Sequence, residues 1–283
     1  MSGRPSTRPL PVPEAIERSF APSIDALRAV ARVDAPDPDA IHHARTSVRR
    51  LRSNVRVLDE VVEPLPSLRA ELGWLAECLG TVRDLDVLAV RVSGLIEGLP
   101  EALQMGGTAV RAVLAEERGV ADEHLRAAAS SARFRDLVDE LDLLVKEASS
   151  STAVLDARDV VRPRWRAMRE AVGQFDDRPS DDQLHDFRIA TKRTRYAAEL
   201  FSPVAGARGE RFVRRATALQ DALGAQHDAA RAFAWFLAHG GEDTGLARAC
   251  GWLAAGAAAE RDGLRDAWRP AWKSLRSPKA RFW

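Results

Sequence analysis

The sequence predicts an all-α protein built from two tandem copies of one helical unit. Three features predict it. Prolines and glycines fall between long segments of helical apolar spacing, and no sustained alternation of β-branched residues marks a strand. The pattern H-x-x-R-x-x-x-[RK]-R-x-R occurs twice, as HHARTSVRRLR from His42 and as HDFRIATKRTR from His185. Glu77, Leu79, Gly80, Arg83 and Asp84 lie 144 residues before Asp221, Leu223, Gly224, His227 and Asp228, and the two histidines are 143 apart. Two separate motifs repeating at nearly one offset mark copies of a unit of roughly 140 residues, expected to be related by a pseudo-two-fold axis.

In chain order, residues 1–13 carry four prolines and two arginines and are expected to be a flexible N-terminus. The first repeat, 14–148, reads as helices over 14–33, 38–62, 67–97, 101–129 and 133–147. The run Ser149, Ser150, Ser151, Thr152 is the natural joint. The second repeat, 153–268, reads as helices over 153–174, 181–202, 207–239 and 242–267, and 269–283 reads as a C-terminal tail. Asp37 with Pro38 can start the first motif helix, and Ser180 with Gln183 forms a capping box for the second. Each motif histidine then sits five residues past its cap, near the positive end of a helix, where free amides favour an anion. Gly80 and Gly224, inside helical patterns, suggest close helix crossings.

Composition sets limits. With 283 residues, 46% of them hydrophobic, the chain can bury a substantial core. Its 42 cations against 41 acids leave a formal charge of +1, so attraction of a polyanion must come from local segregation of charge. Only Lys146, Lys192, Lys273 and Lys279 are lysines, so arginine, whose planar fork suits bidentate phosphate contacts, carries the charge. Cys78 and Cys250 have no metal or redox spacing and read as buried free thiols. The N-terminus lacks the apolar run of a signal peptide and no 18-residue apolar stretch follows, so a cytoplasmic protein with no membrane association is expected.

The motif spacing supplies the candidate site. At about 100° per residue, His42, Arg45, Arg49, Arg52 and Arg56 fall on one helical stripe roughly 80° wide, and His185, Arg188, Lys192 and Arg195 do the same. From His42 to Arg56 there are five arginines and no carboxylate, so nothing within the segment neutralises the stripe. Val48, Leu51, Val55 and Leu58 form an apolar stripe about 120° away, so the basic stripe borders the buried seam and can line a groove or pore. Arg50 and Arg193 fall about 80° beyond their histidines. They either contact the anion or pair with Asp84 and Asp228. His43 has no counterpart and reads as surface. Arg162, Arg166 and Arg169 form a further basic stripe, and with Arg83 they are open candidates for ligand contact.

Together with Leu79-Gly80-Thr81-Val82-Arg83-Asp84-Leu85-Asp86-Val87 and Leu219-Gln220-Asp221-Ala222-Leu223-Gly224, the repeated motif resembles the CHAD domain, the conserved histidine α-helical domain, over residues 15–268. The resemblance implies two tandem four-helix bundles related by a pseudo-two-fold axis, with a basic central groove or pore that binds inorganic polyphosphate, and association with polyphosphate granules. Its motif positions fall on His42, Arg45, Arg49, Arg50 and Arg52, and on His185, Arg188, Lys192, Arg193 and Arg195. Thr46 and Thr194 replace usual aliphatics, and His227 stands where the first half has Arg83. Some members carry a triphosphate-hydrolysing tunnel domain marked by E-x-E-x-K, a motif not found in these 283 residues.

Catalytic readings find little support. Asp84 and Asp86, two apart on a helix, point about 200° apart, and a metal on His42 and His185 with Asp39 or Asp181 would meet surrounding cations. No Walker loop, G-x-S-x-G or zincin motif occurs. No cofactor is expected. The first reading is therefore non-catalytic polyphosphate binding. Nucleic-acid backbone binding is the alternative, against which the first stripe offers no aromatic for base stacking. A polyphosphate-processing enzyme, third, needs a metal-carboxylate cluster that the sequence does not display.

Overall fold

The computed structural model describes residues 7–31, 38–58, 65–241 and 243–283. It is all-α apart from one short β-pair. The helices are α1 (Val12–Ser19), α2 (Ala21–Ala31), α3 (Pro38–Leu58), α4 (Pro66–Glu97), α5 (Gln104–Ser130), α6 (Ala132–Ala148), α7 (Ala157–Gly173), α8 (Asp181–Ala238), α9 (Thr244–Gly263) and α10 (Arg269–Leu275). In the first half α2 packs on α3, α3 on α4 and α4 on α5; in the second, α7 and α9 pack on α8.

Local chemistry explains the boundaries. Gln183 N donates to Ser180 Oγ at 3.2 Å and Ser180 N to Gln183 Oε1 at 2.8 Å, closing the expected capping box at the start of α8. Asp156 caps α7 through Arg158 N at 2.7 Å, and Asp243 caps α9 through Leu246 N at 2.7 Å. The expected cap at Asp37 lies outside the described residues, as do residues 59–62 of the expected 38–62 helix. The two helices expected over 181–202 and 207–239 run on as α8, broken at Gly206, whose φ of 56° and ψ of −148° only glycine adopts without strain. Phe20 divides the expected 14–33 helix into α1 and α2 while keeping helical bonds on both sides, Phe20 N to Ile16 O and Ile24 N to Phe20 O, each at 2.8 Å; residues 32–33 lie outside the described residues.

The apolar surface does not divide at the joint between the halves. One large core runs from Leu10 through α1–α4, α6 and α7 into α8 and the C-terminal Phe282. A smaller core gathers Val92 and Ile96 of α4, Val110 and Leu114 of α5, Ala232 and Phe236 of α8, and Leu253 of α9. The distal ends of both halves thus share one seam. There Gly106 is indispensable: a Cβ would stand 2.2 Å from the Gly245 carbonyl oxygen.

Several expectations are corrected. Residues 7–13 are held, not frayed: Leu10–Pro11 (β1) pairs antiparallel with Val154–Leu155 (β2), and Val12 N donates to Ala153 O at 3.0 Å, because Leu10 and Val12 bury completely. The 269–283 segment forms α10 and a 3-10 turn (Pro278–Ala280), with Trp272, Leu275 and Phe282 in the large core. Gly80 and Gly224 are not crossing points, since a Cβ at either meets nothing within 4 Å. Cys250 is a buried free thiol, but Cys78 is only half-buried.

Candidate anion-binding site

The site forms where α3 lies against α8. Val48, Leu51, Val55 and Leu58 of α3 are buried in the large core, which fixes the helix's rotation. The basic stripe is therefore left at the edge of the buried seam. There Arg45, Arg49, Arg52 and Arg56 of α3 face Lys192, Arg193 and Tyr196 of α8 across a groove of about 830 Å³, with Arg164 of α7 and Glu77 of α4 on its rim. Arg45 and Arg49 also wall a smaller cavity of about 220 Å³ that holds His42, Arg83, Arg188, Asp228 and Arg231.

Charge in the groove is only partly neutralised. Asp84 Oδ1 lies 2.7 Å from Arg45 Nη1, and its other oxygen pairs with Arg231 from the second half of the chain. Burial works to raise the Asp84 carboxyl, but the two guanidinium groups outweigh it and hold it below the usual carboxylate range. Burial, with Arg49 beside it, disfavours the Arg45 cation, yet the 2.7 Å pair shows where its charge is spent. Arg49 hydrogen-bonds Tyr196 and is likewise disfavoured by burial. Arg52, Arg56, Lys192 and Arg193 make no ion pair among the described residues.

Lys192 is the most perturbed cation. It is 8% exposed, and burial followed by the nearby Arg188, Arg49 and Arg45 pushes its ammonium down to about 6. Arg188 Nε is buried without a hydrogen-bond partner, and burial disfavours its charge too, with Asp228 as its main support. Burial raises Asp228 above the usual carboxylate range against the pull of Arg188 and Arg91. An anion entering here would relieve several of these costs at once.

The histidines diverge in role. His185 and His227 meet Nδ1 to Nδ1 at 3.4 Å with ring centroids 4.8 Å apart, and burial with Arg188 and His185 nearby pushes His227 down to about 3. Burial and the surrounding cations thus disfavour charge on both rings. His42 is exposed, with burial and Arg83 lowering its imidazolium. His43 is exposed beside it.

Arg50 and Arg195 line neither cavity. Glu199 takes both: Arg50 Nε is 3.5 Å away, and Arg195 pairs directly. Arg195 Nε also donates to Gln220 Oε1 at 2.9 Å, and its guanidinium lies 4.2 Å over the Tyr196 ring. Of the two alternatives for Arg50 and Arg193, the structure does not form the pairing with Asp84 and Asp228: Asp84 is taken by Arg45 and Arg231, Arg50 turns to Glu199, and Arg193 faces the groove. Asp84 and Asp86 diverge, since Asp86 pairs with Arg118 at 2.6 Å. Arg162, Arg166 and Arg169 face a different cavity.

Sequence reasoning missed Arg231, Tyr196 and Arg164. Tyr196 is the chain's one tyrosine and directly follows the second motif, a signal that was available. Arg231 offered none, because its partner Asp84 is 147 residues away.

Comparison with known proteins fits this geometry. The chain is 31% identical over 206 residues to Rv2226 and to MT2285, proteins of two Mycobacterium tuberculosis strains, and the match covers 67% of this chain but 40% of theirs. The crystal structure of the CHAD domain from the plant Ricinus communis superposes with a TM-score of 0.78 at 23% identity, covering 98% of this chain and 96% of that one. PptA from Streptomyces chartreusis superposes with a TM-score of 0.77 at 20% identity, covering 93% and 98%. The CHAD domain family model matches residues 18–237, which include both motif histidines and the Asp84 and Asp228 positions, and the chain belongs to the CHAD domain family.

Proposed function

We propose that the α3–α8 groove binds inorganic polyphosphate without hydrolysing it. Membership of the CHAD family fits a polyphosphate-related role. The observation that carries the finer reading is the concentration of Arg49, Arg52, Arg56, Lys192 and Arg193 in one groove where the described carboxylates leave them unneutralised. Such a field attracts phosphate, and arginine forks hold its oxygens bidentately. From His42 to Arg56 the stripe runs about 21 Å at 1.5 Å per residue, a length suited to an extended chain of phosphates. On this reading His42 and Arg83 extend the anion path into the smaller cavity, and Arg50 and Arg195 hold the walls in place.

Nucleic acid shares the phosphate charge, but its bases need aromatic platforms. Tyr196, the one aromatic in the groove, is 6% exposed with its ring covered by Arg195. For hydrolysis, the groove offers Glu77 on its rim and the adjoining cavity offers Asp84, which two arginines already occupy; among the described residues no group of three or more His, Cys, Asp or Glu side chains gathers to hold a metal. Binding to polyphosphate granules in the cytoplasm follows from the same affinity. Calorimetry with long-chain polyphosphate tests the binding, and gel analysis after prolonged incubation with magnesium or manganese tests the chemistry. Heat of binding with unchanged chain length is expected; chain shortening would sink the binding-only reading.

A further inference from the structure

Helix α7 separates two basic cavities. Pro163 and Arg164 line the groove, whereas Arg158, Arg162, Arg166 and Arg169 line a cavity of about 940 Å³ on the other flank. On a wheel of about 100° per residue those four arginines span roughly 80°, with Pro163 and Arg164 turned well away. Arg208 and Arg211 enter the cavity from α8, just past the break at Gly206. Lys279 and Arg281 come from the C-terminal segment. Among the described residues no aspartate or glutamate lines it, and none of these eight cations is in an ion pair.

Eight like charges from three elements repel one another, so something must hold the elements together. Aromatic packing does. Trp165 of α7 meets Phe212 of α8 at 5.8 Å and Trp283 at 6.1 Å between centroids, and Phe212 meets Trp283 at 5.0 Å. Thr7 Oγ1 donates to Phe282 O at 2.7 Å, fixing the far side of the same segment. A solvated cationic face would be convex and could spread its charges. Here they converge on a concave surface with a fixed aromatic floor, an arrangement that only an anion relieves.

We propose that this cavity is a second phosphate site, which takes a condensed phosphate independently of the groove. The occupant is either a free short oligophosphate or a segment of a longer chain. Compact, multiply charged phosphate fits because arginine predominates and because the cations converge from three elements instead of running along one helix. The Gly206 break is what makes it possible: it redirects α8 so that Arg208 and Arg211 face α7 again.

The test compares wild type, a groove variant (R49E, R52E, R56E) and a cavity variant (R162E, R166E, R208E), with R162Q, R166Q, R208Q as the milder form. The three cavity arginines are exposed and in no ion pair, so circular dichroism should be unchanged. Calorimetry with inorganic tripolyphosphate should show binding to wild type and to the groove variant, and a loss of about tenfold or more in the cavity variant. If tripolyphosphate binds neither, but long-chain polyphosphate still binds the groove variant and is lost when both sets are changed, the cavity holds a chain segment. The proposal is overturned if the cavity variants bind both phosphates like wild type, if the groove variant alone abolishes all binding, or if single-stranded DNA of equal charge binds the cavity more tightly than either phosphate. A groove variant that still binds long chains like wild type, beside a cavity variant that does not, would refute the groove reading and leave the cavity standing.

Discussion

Asp84 and Arg45, 2.7 Å apart, join α4 to the first motif helix, and the second oxygen of Asp84 reaches Arg231 in the other half of the chain. One carboxylate thus neutralises two cations at the mouth of the proposed anion path. It supports the fold and competes with the ligand. Asp84→Asn should therefore lower stability, by about 1–3 kcal/mol for a partly buried charge-assisted pair, and tighten polyphosphate binding, because Arg45 and Arg231 are released. Thermal melts and calorimetry on the same protein check both signs; a variant that is destabilised and also binds more weakly would show that Asp84 positions the arginines for ligand.

Charge reversal at Arg49, Arg52 and Arg56 should weaken polyphosphate binding far more than reversal at Arg111, Arg126 and Arg248, which are exposed and line neither cavity. The slope of log affinity against log salt should fall by about one for each phosphate contact removed, by analogy with nucleic acids. Equal losses from the two sets would mean a diffuse field rather than a groove.

The basic stripe of α3 is legible in the sequence because a helix buried along one side must present every residue at a fixed angle, and Val48, Leu51 and Val55 declare that side. The same wheel places Arg195 beside Lys192, and there it misleads. Which of them faces the groove depends on Glu199 and Gln220, and Gln220 comes from beyond the Gly206 break, where helical periodicity carries no information about direction. The break itself is marked by Pro203 and Gly206, between the expected helices over 181–202 and 207–239, but the direction in which the chain resumes is not. The His185 and His227 contact and the shared distal core are equally matters of how helices meet, set by packing at points such as Gly106 that no local pattern marks.

Arg193 and Arg195 differ by two positions and should separate cleanly in experiment. Arg193→Ala should leave the melting temperature near wild type and weaken binding, since the side chain is exposed in the groove. Arg195→Ala should destabilise by about 1–3 kcal/mol, because it leaves the part-buried Glu199 with only the 3.5 Å contact to Arg50 and takes the donor from Gln220. If Arg195→Ala melts like wild type and loses binding instead, its internal contacts are not its role.

Lys192 should give binding a pH dependence that arginine cannot. Burial and the neighbouring arginines push its ammonium down to about 6 in the free protein, so near pH 7 the side chain is mostly neutral. A bound phosphate favours the charged form and raises that value, so binding takes up a proton. The lysine's contribution is full below the free-state value near 6 and is lost as pH rises through the higher bound-state value; the arginine contacts persist. His42 and His185, both lowered by burial, add in the same direction. Calorimetry at pH 7 in buffers of different ionisation enthalpy should reveal proton uptake in wild type and much less in Lys192→Met. The same substitution removes a cation that is uncomfortable in the folded state. Below its unfolded value the lysine costs stability, because the folded protein binds its proton less well, and the cost grows as pH falls toward about 6. Lys192→Met should accordingly raise stability at neutral pH by about 1–3 kcal/mol while weakening polyphosphate binding at pH 6. A variant that binds normally across that range, or that shows undiminished proton uptake, would move the titrating group elsewhere in the groove.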